Sequence, residues 1–183
     1  MSSLNTMKSF LQSKGISLSI REYTVTALSY MALGLFSSLL IGLIIKTLGQ
    51  QLSVEAFVSI GEFAMDPKIV GAAIGVAVAH SLKAPPLVLF SAVFAGAFGG
   101  ETGGPAGSYV TVLLATELGK LVYKTTKVDI IVVPFTVLIV AYFIGLFVGV
   151  PIQKLMTSLG TLINWSTEQK PIVMSWRRSW GGH

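Results

Sequence analysis

The sequence GGETGGPAGSY, residues 99–109, decides how the rest of this chain folds. It contains five glycines, the acidic residue Glu101 and the proline Pro105, and apolar segments flank it on both sides. A glycine inside a helix costs about 1 kcal/mol relative to alanine, and a proline costs about 3 kcal/mol. The stretch therefore predicts a break in a helix, between segments that are long and apolar enough to lie in a membrane.

The composition of the chain is that of an integral membrane protein. Of its 183 residues, 52% are hydrophobic and only 11% are charged, whereas soluble domains carry about 25% charged residues. The net charge of +5 comes from lysines and arginines that lie between apolar runs, which indicates membrane topology and not a nucleic-acid surface. We predict an all-α, polytopic helical membrane protein with short broken or re-entrant helices around the glycine-rich stretch.

Five apolar runs support this fold. Residues 24–45 carry no charge and extend about 33 Å as a helix, enough to cross a bilayer core of about 30 Å. Residues 128–150 form a second run of full length, whereas residues 69–82, 87–98 and 106–118 are shorter. Short segments interrupted by glycine and proline are typical of a transporter binding site. The segments on either side of the glycine stretch begin and end on the same side of the membrane. They form either two short spans or a re-entrant hairpin.

The remaining segments predict peripheral structure. Residues 1–23 are basic and form either an amphipathic helix on the membrane or a solvated tail. Residues 49–68 are a polar connection, and residues 151–164 have the spacing of an amphipathic helix, which we expect at the interface. Gly145 and Gly149 have the GxxxG spacing of a close helix contact.

The distribution of lysine and arginine predicts the orientation. The N-terminal tail and residues 119–127 each carry three such residues, while residues 49–68 carry one. By the positive-inside rule, the N-terminus and the 119–127 loop are cytoplasmic and residues 49–68 are outside. We therefore expect a multi-pass membrane protein with a cytoplasmic N-terminus.

Three stretches together resemble a known family: AHSLKAPP at 79–86, GGETGGPAGSY at 99–109 and ELGKLVYKTTKVDIIVVP at 117–134. They are similar to the membrane-embedded EIIC component of bacterial phosphotransferase sugar systems, within a small branch of that family. The resemblance covers residues 24–174. It implies a helical domain that binds a sugar and moves it inward, while separate IIA and IIB proteins supply phosphate from phosphoenolpyruvate.

The end of the chain departs from this resemblance. An apolar span is expected after residues 171–174, but the sequence continues as SWRRSWGGH, residues 175–183. An arginine at a helix centre costs about 2.5–3.5 kcal/mol on insertion, so we predict no span there. We interpret residues 1–174 as the N-terminal part of an EIIC-like domain, residues 175–183 as a divergent tail, and the chain as a copy truncated or frame-shifted after Met174 that does not transport alone.

The candidate substrate site lies in the glycine-rich stretch. Glu101 can accept hydrogen bonds from sugar hydroxyls, and the backbone at the glycines can approach a ligand closely. A tight extramembrane turn containing Glu101 is the alternative. His80, at the end of a short apolar run, contacts the sugar or its phosphate, or is simply an interfacial residue. The predicted substrate-binding residues are Glu101, Thr102, Gly103, Gly104, Ser108 and His80.

Other features point away from catalysis by the chain itself. There is no phosphate-binding GxxxxGK[ST] loop and no HExxH motif, and the chain has no cysteine, so we predict no enzyme, no cofactor and no metal site. Glu117 and Lys120 have the spacing of a structural ion pair at an exposed helix end.

The expected partners are a sugar, a cytoplasmic IIB protein and the lipid bilayer, with no nucleic acid. The oligomeric state stays open, a homodimer being one arrangement. Two alternative functions also stay open: another secondary transporter that uses Glu101 as its proton-coupling site, and a non-transporting membrane fragment.

Overall fold

A computed structural model describes residues 2–16 and 19–168, and every regular element in these ranges is a helix. By length and composition, three of the helices can cross a membrane, and the number rises to four if a bent pair of shorter helices counts as one span. One of the three, Pro86–Val122, contains the non-helical residue Gly104 and is not a straight helix. This confirms the predicted all-α membrane fold. The helices are α1 (Ser2–Ser13), α2 (Glu22–Leu52, with π-helical turns at Glu22–Thr26 and Phe36–Leu40), α3 (Glu55–Ala64), α4 (Pro67–Ser81), α5 (Pro86–Val122) and α6 (Asp129–Ile144, continuing through the π-helical turn Gly145–Gly149 into Val150–Glu168).

Helix α2 packs antiparallel against α3 and α4. Glycines on α2 permit the contact: Gly49 lies against the backbone at Val58, and Gly34 lies against the backbone at Ile74. The axes of α3 and α4 differ by 54°, and the α4 helix starts afresh at Asp66, whose carboxylate accepts a hydrogen bond of 2.8 Å from the Lys68 amide. The two short helices therefore return across the bundle as one broken span.

Helix α5 is a hairpin. Gly104 has φ 63° and ψ −159°, which is not helical, and Pro105 follows it as the first residue of the second arm. Gly99 lies against the backbone of Ser108, and Val88 lies against Gly119. In a straight helix those last two residues would be about 46 Å apart. The arms 86–103 and 105–122 are thus antiparallel, each about 27 Å long, and the predicted helix break falls at Gly104.

The hairpin lies between α4 and α6. Gly71 of α4 meets Gly96 and Gly100 of the first arm so closely that a Cβ on Gly96 would overlap the Gly71 carbonyl oxygen. On the other side, a Cβ on Gly103 would lie only 2.8 Å from the Cα of Gly149. The GxxxG pair of α6 thus makes the close contact that its spacing predicts.

The core and the surface have the pattern expected of a protein in lipid. Small and β-branched side chains fill the centre of the bundle, while large aromatic side chains lie on the outside. Phe90 is 67% exposed and Phe147 is 75% exposed. Such a surface fits a hydrocarbon solvent. The fully buried apolar side chains include Ile74, Val78, Val88, Val112, Val133 and Val137.

Residues 151–164, for which the sequence predicts an amphipathic stretch at the interface, are helical. They continue α6 without a break, so that the helix runs from Asp129 to beyond residue 164. The wide π-helical turn Gly145–Gly149 precedes Pro151 and relieves the clash that a proline ring makes with the preceding turn. The predicted tail, residues 175–183, lies outside the described residues.

The N-terminal segment packs against the loop that follows α5. The Lys14 ammonium donates a hydrogen bond of 2.7 Å to the Tyr123 carbonyl, and the Lys120 ammonium donates one of 3.1 Å to the Gly15 carbonyl. Of the two alternatives for residues 1–23, the structure has a helix, α1, interrupted after it by Gly15 at φ 73°. The N-terminus and the 119–127 loop therefore share one end of the bundle, and the α2–α3 turn at Ser53 lies at the other.

Candidate functional site

Glu101 lies near the apex of the α5 hairpin and forms an ion pair with Lys68. The distance between Lys68 Nζ and Glu101 Oε1 is 3.1 Å, and the two side chains are 59% and 51% exposed. Lys68 belongs to the first turn of α4, which the hairpin approaches through Gly71 and Gly100. The charged pair thus lies beside a close contact between the backbones of α4 and α5.

Both charges of this pair lie at unfavourable helix ends. Glu101 is in the last turn before the break at Gly104, where the helix dipole disfavours an anion, and Lys68 is in the first turn of α4, where it disfavours a cation. Helix stability alone would favour the opposite placement. The favourable effect of charges on helix stability therefore does not explain why the pair is at this position.

Of this pair, Glu101 lines a cavity of about 630 Å³ at the hairpin apex. Glu101 contributes its carboxylate, and Gln153 and Thr157 of α6 contribute an amide and a hydroxyl. Gly103 and Gly104 contribute backbone, where the helix break leaves carbonyls of one arm and amides of the other without intrahelical partners. The apolar lining includes Met31, Met65, Pro67, Val70 and Met156.

A second cavity, of about 650 Å³, is also lined by Glu101 and opens onto the exposed aromatic surface of the bundle. Its wall is aromatic and aliphatic, and Lys68 and Glu101 are its charged members. Glu101 therefore lines both an apex cavity with polar groups and an apolar cavity. The aromatic side chains of the second cavity are Phe94, Phe98, Phe135, Tyr142 and Phe143.

Two of the predicted site residues serve helix packing. The Thr102 hydroxyl donates a hydrogen bond of 2.9 Å to the Phe98 carbonyl, and its oxygen packs against Gly149. The Ser108 hydroxyl is buried and donates one of 3.0 Å to the Gly71 carbonyl. Neither hydroxyl lines the apex cavity, whereas Glu101 does.

His80 lies at the opposite end of α4 from Lys68. About 18 Å of helix separate the two residues. The imidazole of His80 packs against the ring of Tyr30, with 6.0 Å between ring centroids, and lines a different cavity with Arg21 and Lys83. The structure therefore does not bring His80 and Glu101 into one site.

Glu117 and Lys120 form the predicted ion pair, but not at an exposed helix end. Their side chains are 15% and 1% exposed, with 3.0 Å between Lys120 Nζ and Glu117 Oε1. The prediction of exposure is wrong because the segment after α1 covers this end of α5, where the Gly15 carbonyl accepts a hydrogen bond from Lys120.

Sequence reasoning missed Lys68, Gln153 and Thr157. The spacing of Gln153 and Thr157 places both on one face of a helix, which is a weak signal, and Lys68 follows the helix-start residues Asp66 and Pro67. Nothing local in the sequence places any of them next to Glu101. Among the described residues, no group of acidic or histidine side chains is arranged to hold a metal ion.

Several apolar helices and a broken hairpin with a charged pair at its apex define a polytopic helical membrane protein. The family model "Phosphotransferase system, EIIC" matches residues 25–176, and the chain belongs to this family. It is thus a permease component of a sugar phosphotransferase system. Comparisons with curated proteins and with solved structures found no match.

Proposed function

We propose that the apex cavity binds the sugar that this EIIC component passes across the membrane, with Glu101 accepting hydrogen bonds from sugar hydroxyls. The observation that carries the proposal is the Lys68–Glu101 pair, half-exposed at a helix break beside a cavity of about 630 Å³. Binding cavities for small molecules measure about 300–1,000 Å³ and place a few polar groups on an apolar wall.

Each polar group of the cavity has a role in this proposal. The Glu101 carboxylate accepts from hydroxyls, the Lys68 ammonium holds that carboxylate in place, and the Gln153 amide both donates and accepts. Gly103 and Gly104 bring bare backbone to the ligand without side chains in between. The methionines of the wall adapt to the apolar face of a sugar ring.

Phosphate transfer belongs to other proteins in this proposal. The basic end of the bundle, with the N-terminus and the 119–127 loop, is the cytoplasmic end, where IIB delivers a phosphate that it receives from IIA. Glu101 is 51% exposed, so the cavity is open on one side. Residues 1–174 then form one part of a transport domain, and a further element, such as a second copy in a homodimer, encloses the sugar.

Exchange of Glu101 for glutamine tests the sugar site. Glu101→Gln keeps the shape and removes the charge, and a hydrogen bond to a charged group contributes about 1.5–3 kcal/mol. We expect sugar binding to the purified protein to weaken about ten- to a hundredfold, measured by calorimetry, with insertion unchanged.

Glu62→Gln is the matched control, because Glu62 forms an ion pair of the same length, 3.1 Å, with Lys46 and does not line the cavity. Equal effects of the two exchanges would contradict the proposal. Uptake that follows a proton gradient without phosphoenolpyruvate would instead favour the secondary transporter, and a wild-type protein without sugar binding would favour the non-transporting fragment.

A further inference from the structure

The end of the bundle that carries the N-terminus contains a second polar cavity, unrelated to the hairpin apex. It measures about 670 Å³ and is lined by the charged side chains of Arg21, Glu22 and Lys83, together with His80 and hydroxyl groups. A neighbouring cavity of about 540 Å³ shares Glu22 and Lys83 and adds Lys8. Together they form a trough with three fixed positive charges and one negative charge.

Among the described residues, no ion pair neutralises the positive charges of this trough. Within the described residues, salt bridges are formed by Lys46, Lys68 and Lys120, and none involves Arg21 or Lys83. Glu22 shares the cavity without a salt bridge to either of them, and it offsets only part of the charge. Such a cavity attracts an anion.

Lys83 occupies a backbone position that normally belongs to glycine. Its amide donates to the His80 carbonyl at 2.9 Å and the next amide, of Ala84, donates to the Ala79 carbonyl at 3.1 Å, the hydrogen-bond pattern of a Schellman cap on α4. Lys83 has φ 54°, in the left-handed region that costs a residue with a Cβ stability. Lys83 therefore strains the cap of α4, and its charged side chain lines the cavity. This combination indicates that the side chain has a role in binding.

We infer that this trough binds a phosphate ester, held by the guanidinium of Arg21 and the ammonium of Lys83. A guanidinium makes paired hydrogen bonds to phosphate oxygens, and an ammonium adds a compact charge. Two sources share this chemistry: a soluble sugar phosphate, and the headgroup of an anionic phospholipid at the same depth. The site is separate from the sugar cavity and stands whether or not Glu101 binds sugar.

Lys83→Gly separates a ligand role from a structural one. Glycine suits the cap better than lysine, so the unfolding temperature without ligand should be unchanged or higher. The affinity of the full chain in phosphatidylcholine nanodiscs for glucose 6-phosphate, compared with glucose and inorganic phosphate, should nevertheless fall about tenfold or more. Arg21→Gln should lower it to a similar degree.

Lys124→Gly is the matched control. Lys124 lies at the same end of the molecule, also has a left-handed backbone, with φ 58°, and does not line the trough. Its exchange removes the same charge from the same backbone conformation, so the affinity should change by less than about twofold, as expected for a screened surface charge.

Nanodiscs that contain phosphatidylglycerol distinguish the two sources. Loss of glucose 6-phosphate binding in these discs, together with Lys83-dependent retention of the lipid, assigns the trough to a headgroup; binding that persists assigns it to a soluble phosphate ester. The inference is overturned if Lys83→Gly and Lys124→Gly have equal effects, or if neither glucose 6-phosphate nor phosphatidylglycerol binds in a manner that depends on Lys83.

Discussion

Gly104 is the residue on which the hairpin depends. Its φ of 63° and ψ of −159° fall in a region that is almost restricted to glycine, although no atom lies within 4 Å of the place where a Cβ would be. We therefore expect Gly104→Ala to destabilise the folded state by about 1–3 kcal/mol through backbone strain alone. The measurement is reversible unfolding in mixed detergent micelles.

Gly160→Ala is the control at this scale, because Gly160 lies in the helical part of α6 and also has open space around it. Alanine is the better residue in a helix, so this exchange should stabilise the protein by about 0.4–1 kcal/mol. A stabilising effect of Gly104→Ala as well would mean that the hairpin does not need the left-handed turn.

At the scale of the elements, two lysines connect the segment after α1 to the C-terminal end of α5, and each donates a hydrogen bond to a backbone carbonyl of the other segment. Lys14 reaches the Tyr123 carbonyl, and Lys120 reaches both the Gly15 carbonyl and Glu117 while it is only 1% exposed. Loss of one partner of a buried ion pair costs about 3–5 kcal/mol, because the other charge stays buried. We expect Lys120→Met to destabilise the protein by about that amount, measured by the same unfolding assay.

The double variant Lys120→Met, Glu117→Gln tests whether the buried, unpaired charge of Glu117 causes the loss of stability. Removal of the second charge should restore part of the lost stability. Lys154→Met, on the exposed part of α6, serves as the control and should change stability by less than about 0.5 kcal/mol. A single variant as stable as this control would show that Lys120 is not a buried partner.

At the scale of the whole molecule, the helix arrangement separates the charges between two ends. Among the residues that the structure describes, most of the lysines and arginines lie at the end with the N-terminus, and few lie at the end with the α2–α3 turn. The positive-inside rule therefore predicts that the first end is cytoplasmic. The basic residues of the first end are Lys8, Lys14, Arg21, Lys83, Lys120, Lys124 and Lys127, and those of the other end are Lys46, Lys68 and Lys154.

Single cysteines test this orientation cleanly, because the chain has none of its own. Cysteines at Ser13 and Thr125, both exposed at the basic end, should resist an impermeant thiol reagent in intact cells. A cysteine at Ser53, exposed at the other end, should react. Reaction at position 125 from outside, with protection at position 53, would invert the proposed topology.

The sequence by itself determined the fold class, the family resemblance, the two full-length apolar helices and the break at the glycine-rich stretch. It also predicted the Glu117–Lys120 pair. These features are local: apolar length, helix propensity and i,i+3 spacing depend on neighbours along the chain. For the same reason the sequence left open whether the segments around Gly104 form a hairpin.

The tertiary structure decided what lies next to what. It paired Glu101 with Lys68, placed Gln153 and Thr157 at the apex cavity, and separated His80 from that cavity by about 18 Å of helix. These outcomes depend on contacts between glycines of different helices, such as Gly71 with Gly96. Such a close backbone contact fixes the register of the two helices. Register is a property of pairs of helices, and no single segment of sequence contains it.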